Sequence, residues 1–282
     1  MPVETLPRRM KTIRPASFSP WMITQGLRDL ARYRDLLVTL TIHRVKIRYK
    51  QSVLGIAWAV LQPLLLMVVY TIIFSIVVKM PSQGAPYPVF VYAALLPWTF
   101  FSTSISTGAT SLVSHHNLIT KVYFPREILP LTYVLAALFD LLMASVILAV
   151  LIAYYHVPIT LNVFYVLPVM AVAFIFATAM ALLLSAFQVR FRDIAIAMSL
   201  VMQLWMYATP VVYPYSVVPK RFQFFYSLNP MAGVVENFRR VVIQHTSLNL
   251  QVLIPGVVVA LVMLPLAYFY FKSAETTMAD II

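Results

Sequence analysis

Residues 128–155 read ILPLTYVLAALFDLLMASVILAVLIAYY. This stretch holds a single charge, Asp140, and carries no break in its apolar run. About 20 apolar residues suffice for a helix to cross a bilayer, so it predicts a membrane-spanning helix. The surrounding chain has the same character. From Met80 to Val189 the only charged residues are Lys121, Arg126, Glu127 and Asp140. Over all 282 residues, 61% are hydrophobic and 11% charged, and the mean hydropathy is +0.86. Soluble domains carry roughly 25% charged residues, so an ordinary soluble enzyme is excluded, and so is a disordered chain.

Working outward, the pattern predicts an all-α integral membrane fold of six spans, at about 53–78, 88–113, 128–155, 162–187, 194–212 and 250–271. Pro63 and Pro97 mark kinks in the first two. The stretch 213–249 is too polar for a simple span and too apolar for a free loop. Pro210, Pro214, Pro219 and Pro230 cut it into short pieces, which fits outer re-entrant helices between spans five and six. Residues 1–26 carry Pro2, Pro7, Pro15 and Pro20 among basic residues and read as a tail, with no secretory signal. Residues 27–50 read as an amphipathic interface helix: Leu27, Leu30, Leu37, Leu40, Ile42, Val45 and Tyr49 recur at roughly helical spacing among basic residues. A juxtamembrane cluster that only fixes orientation would look the same. Residues 51–282 form the six-span domain.

The balance of 21 Lys+Arg against 9 Asp+Glu gives a net charge of +12. In so apolar a chain this points to cytoplasmic loops and anionic headgroups, not to nucleic acid. With the amino terminus inside, the inner segments hold sixteen Lys and Arg and the outer ones five, Lys79, Lys220, Arg221, Arg239 and Arg240. Both termini are therefore expected in the cytoplasm, in a multi-pass protein of the cytoplasmic membrane. The four basic residues of 213–249 fit that rule least well: either this segment forms a pair of re-entrant helices at the outer face, or the number of spans differs by one.

Reaction chemistry is sparse. Cysteine is absent, and no glycine precedes a lysine, so there is no phosphate-cradling GxxxxGK[ST] loop. The five histidines make no HExxH, and neither a GxSxG elbow nor a DxD pair occurs. No catalytic residue and no metal site is assigned. Asp140, the one acid deep within a span, is either a functional group facing the protein interior or an acid hydrogen-bonded to a neighbouring helix. Glu236 is spaced for local helix pairs with Arg239 and Arg240. Two classes remain, a partner-driven transporter and an integral-membrane enzyme that modifies lipid or glycan. The lack of an acidic or nucleophilic cluster favours transport.

Six segments in order resemble the permease subunit of type-2 ABC exporters of polysaccharides and polyol phosphates. They are KIRYKQSVLGIAWAVLQPLL (46–65), NLITKVYFPREILPL (117–131), VRFRDI (189–194), TPVVYP (209–214), LNPMAGVVENFR (228–239) and FKSAETTMADII (271–282). The likeness covers about 34–282. It departs at His43–Arg44, where the family commonly has Arg-Asp.

The resemblance implies a homodimeric permease bound to two cytoplasmic ABC ATPase subunits, which carry the ATP and magnesium. No cofactor is implied on this chain. The cargo implied is a lipid-linked polysaccharide, with O-antigen favoured over capsule or teichoic acid. The amphipathic helix, with Arg44, Lys46, Arg48 and Lys50, would border the portal for the lipid-linked end. The loop 114–127 would dock on the ATPase through Asn117, Lys121, Tyr123, Phe124, Arg126 and Glu127. Arg190, Arg192 and Asp193 would add a smaller contact. Lys121 and Arg126 also read as positive-inside anchors. Trp98, Phe100, Phe101, Trp205, Tyr207, Tyr213 and Tyr215 are either a channel surface on which sugars stack or an interfacial aromatic belt.

Overall fold

The computed structural model describes residues 21–50 and 52–281, so most of the tail expected over 1–26 lies outside the described residues. All regular structure described is helical. Eleven α-helices are described: α1 Trp21–Arg32, α2 Arg34–Lys50, α3 Ala57–Tyr70, α4 Tyr87–Ala109, α5 His116–Lys121, α6 Ile128–Tyr154, α7 Val166–Arg190, α8 Ile194–Tyr207, α9 Lys220–Ser227, α10 Pro230–Val242 and α11 Leu250–Ile281.

Five apolar helical stretches are long enough to cross a membrane: Ala57–Val77, Tyr87–Ala109, Ile128–Tyr154, Leu161–Arg190 and Leu250–Glu275. The stretch expected to be the fifth span, 194–212, is different. Its helix α8 stops at Tyr207 after 14 residues, a rise of about 21 Å against a hydrocarbon core of about 30 Å. Pro210 and Pro214 follow at once and cannot extend the helix. The first span also begins later than residue 53. Residues 53–56 form a turn in which Gly55 takes φ +54°. Its last turns widen to a π-helix over Thr71–Val77, where the Val78 amide donates to the Ile73 carbonyl.

Helix α4 is the centre of the bundle. Every residue from Val89 to Trp98 is buried, and α4 touches α3, α6, α7, α8 and α10. It passes close to α7 at Gly108, where an added Cβ would stand 2.9 Å from the Ala181 Cβ, so a residue without a side chain suits this crossing. At the opposite end, α10 lies against the start of α11. A Cβ on Gly233 would meet the Val252 carbonyl oxygen at 2.8 Å, and one on Gly256 would meet the Pro230 Cα at 2.8 Å.

Two apolar cores result. The larger joins α4, α6, α7, α8 and α10. The smaller gathers Leu112, Ile119, Phe124, Ile128, Leu182 and Phe271 where α5, the start of α6 and the ends of α7 and α11 meet. The inward residues of α1 and α2 pack on this second core. Here this is called the near end, and the end built by α9 and α10 the far end.

Candidate functional site

The near end begins with α1 and α2. Gly26, Leu30, Tyr33, Leu37, Leu40, Arg44 and Arg48 follow one another at intervals of three or four and turn inward, while Leu27 and Ile42 are exposed. The single amphipathic helix expected over 27–50 is therefore two helices sharing one inward stripe. That stripe is apolar at its start and basic at its end. The four basic residues of α2 divide into an inward pair, Arg44 and Arg48, and an exposed pair, Lys46 and Lys50.

The inward pair meets α6. The Arg44 guanidinium lies 3.3 Å from the centroid of the Tyr133 ring, and its Nη2 is 2.8 Å from His115 Nε2. Arginine only donates, so His115 Nε2 accepts and the proton sits on Nδ1, which donates to the Ser111 carbonyl at 2.9 Å. Burial pushes the His115 imidazole below its usual range, and Arg44 adds to that. One turn on, Arg48 makes an ion pair with Asp140, and the Tyr49 hydroxyl donates to Asp140 Oδ1 at 2.5 Å. Burial, followed by the Asp140 carboxylate, pushes the Tyr49 phenol up to about 12. Of the two readings of Asp140, the acid hydrogen-bonded to a neighbouring helix is the one observed. The cluster borders a cavity of about 400 Å³ shared by α2, α3, α4 and α6, into which Trp58, Gln62, Phe100 and Thr103 also face.

The loop after α4 has two faces. Asn117, Lys121 and Tyr123 are exposed. Phe124 and Glu127 are buried, at 4% and 1% exposure. Both therefore face the interior of this chain, unlike the other residues through which the resemblance implies an ATPase contact. Phe124 fills the second core, and Glu127 is enclosed because its carboxylate is matched by a cation from the last helix. Lys272 Nζ reaches Glu127 Oε2 at 2.7 Å and Glu275 Oε2 at 2.9 Å, and the Tyr268 hydroxyl donates to Glu127 Oε1 at 3.3 Å. Arg126, half-buried, donates to the Glu275 carbonyl at 2.6 Å. Tyr268, Lys272 and Glu275 are site residues that the sequence reading does not single out. A signal for Lys272 and Glu275 is the polar run closing an apolar span in FKSAE, with Lys and Glu three apart; Tyr268 has none. Arg190, Arg192 and Asp193 are exposed between α7 and α8, at the same end.

The far end keeps its charges closer than loop residues would. Asn229 caps α10 by accepting from the Met231 amide at 3.1 Å, with Pro230 at the first helical position. Arg239 is fully buried. Its Nη2 reaches the Pro210 carbonyl at 2.6 Å and Glu236 Oε2 at 3.3 Å, and its guanidinium lies 4.1 Å from the Phe90 ring centroid. Burial draws it down to about 10, against the pull of Glu236. Glu236 therefore pairs with Arg239, while Arg240 instead donates to the Ser247 carbonyl at 3.2 Å. Counted as an outer loop charge, Arg239 weighed against the positive-inside reading. As a neutralised interior residue it does not.

The aromatic residues proposed as a sliding surface are mostly enclosed. Phe101 stacks on Phe176 at 5.2 Å, and Trp205 meets Phe101 edge-on at 5.2 Å. Trp98, Phe100, Phe101 and Tyr215 are buried, Trp205 and Tyr213 half-buried, and only Tyr207 is exposed. Trp98, Phe101 and Tyr215 are enclosed by neighbours within this chain, while Phe100 borders the cavity. Among the described residues no group of three His, Asp or Glu side chains is arranged for a metal ion.

Residues 35–243 match the sequence pattern of the ABC-2 type transporter family. An O-antigen export system permease protein, RfbA, of Myxococcus xanthus is 33% identical over 258 residues, covering 90% of this chain and 98% of the relative. A protein of the same name from Klebsiella pneumoniae is 31% identical over 206 residues, covering 73% of this chain and 79% of the relative.

Proposed function

This chain belongs to the ABC-2 type transporter family, and from that premise we propose that it is the permease of an ATP-driven exporter of a lipid-linked polysaccharide, of O-antigen type. The permease acts as a homodimer in the cytoplasmic membrane, with the near end and both termini in the cytoplasm. Two ATPase subunits on separate chains bind ATP and magnesium. Helix α8 and the segment after it serve as the fifth of six spans, and α9 and α10 close the outer face as re-entrant helices. The inward stripe of α1 and α2 seats the portal helix, and Lys46 and Lys50 face anionic headgroups or the phosphate of the cargo's lipid end.

The observation that carries this reading is the two-faced near-end loop. Asn117, Lys121 and Tyr123 are exposed on a loop whose other face is fixed to the protein by Phe124 and Glu127. A loop that must receive a push needs an exposed polar face and a rigid backing. Asp140, the acid deep within a span on which an enzyme reading would call, is occupied by Arg48 and Tyr49.

The test is reconstitution. The purified chain alone is expected to hydrolyse no ATP, and hydrolysis should appear when the ATPase subunit is added. Lys121→Glu should leave the chain inserted while reducing the ATPase that co-purifies with it. Steady hydrolysis by the chain alone, or unchanged assembly and export in the variant, would count against the proposal.

A further inference from the structure

The closing segment FKSAETTMADII (271–282) is one of the six segments of resemblance, yet the transport reading gives it no task. Its position supplies one. The end of α11 touches the loop before α6 on one side and the last turn of α7 on the other. On one side Lys272 pairs with Glu127 at 2.7 Å, and the Glu275 carbonyl accepts from Arg126 at 2.6 Å. On the other side Tyr270 stacks on Phe187 of α7 at 4.5 Å, three residues before Arg190. Phe271 and Met278, at 0% and 1% exposure, are buried in the second core with Ile119 and Phe124 of the first loop and Ala186 and Val189 of α7.

The loop 117–127 and the turn 190–193 are far apart in sequence and both carry exposed polar residues at this end. The first loop, and the last turn of α7 that leads into the second, are fastened to one helix end. We propose that the end of α11 is a tie bar that holds these two loops as a single docking platform for the ATPase subunit, with Lys272 as a positioning residue that does not itself touch the partner. The inference rests on the transport reading above. Its physical basis is preorganisation: a partner that meets two loops already set in register spends less of its binding free energy on ordering them. The ion pair suits this task better than an apolar contact, because Glu127 is enclosed and a bare carboxylate there is costly, so Lys272 must stay in place.

The test is the affinity of the cognate ATPase subunit for the intact permease in detergent, measured for Lys272→Met, Glu127→Gln, both together, and Lys272→Arg. Each single variant should weaken binding by about tenfold, which corresponds to about 1.4 kcal/mol. The pair should be no weaker than either single change, because both remove one joint. Lys272→Arg should restore binding. The paired variant leaves no buried charge facing an apolar partner, so it reports even if a single change prevents folding. Wild-type affinity in the paired variant would overturn the tie bar. So would losses that add, since they would mean that Lys272 meets the ATPase directly. If the unaltered chain binds no ATPase subunit at all, the transport reading fails and the tie bar falls with it.

Discussion

At the scale of single residues, His115 shows how burial sets a protonation state that spacing could not. Its Nε2 accepts from Arg44 and its Nδ1 donates to Ser111, so only the neutral ring fits. The folded chain holds its pKa below the ordinary 6.5. The unfolded chain therefore binds a proton first as pH falls, and the stability that His115 contributes is present above pH 6.5 and lost as pH falls from there through the depressed folded value. The melting temperature in detergent should drop over that interval, and His115→Gln should flatten the drop. An unchanged profile in the variant would assign the titration to another group. Asp140 is the companion case. An acid within a span, it is matched by an arginine 92 residues away, and no local pattern announces that pairing.

At the scale of elements, α2 has basic residues on more than one face, so its sequence periodicity alone does not say which face is buried. The choice falls to α6, which offers Tyr133 and Asp140, about two turns apart, on the side that α2 meets. Arg44 lies over the Tyr133 ring and Arg48, one turn on, reaches Asp140, while Lys46 and Lys50 are exposed. The two pairs should therefore behave differently. Replacing Arg44 and Arg48 with Gln leaves Asp140 without its cation and should lower stability by about 1–3 kcal/mol. Replacing Lys46 and Lys50 with Gln should leave the melting temperature alone and weaken the binding of anionic lipid to the detergent-solubilised chain, by about 1 kcal/mol for each charge. Melting and lipid titration on the same two variants decide it, and equal melting losses would contradict the division into two faces.

At the scale of the whole molecule, the bundle has a packed end and a capped end. The second core, α1, α2 and the end of α11 build the first, and α9 and α10 the other. If the far end faces outward, a cysteine at position 220 should react with an impermeant thiol reagent added outside. One at position 239 should stay unlabelled, because that site is fully buried. The parent chain has no cysteine, so any signal comes from the introduced one. Labelling of position 220 from the cytoplasmic side alone would reverse the orientation.

How much of this was legible beforehand depends on the range of the interaction. Hydropathy is a local property, so the apolar stretches, the helical class and the order of the family's segments could be read directly, and five spans stand within a few residues of where composition put them. The end of α8 was misjudged because apolar residues continue to Val212 while Pro210 and Pro214 stop the helix first. The two faces of the loop 114–127 were beyond sequence reading for a different reason. Asn117, Lys121, Phe124 and Glu127 share one short segment, and nothing in it separates inward from outward. That separation comes from Lys272, 145 residues away, and from the core that Phe271 completes. The sequence by itself determined where the chain crosses lipid, because water and hydrocarbon act on each segment alone. The tertiary structure alone decided which charges are neutralised inside and which remain exposed, because a buried charge is tolerated only where another part of the chain arrives to pair with it.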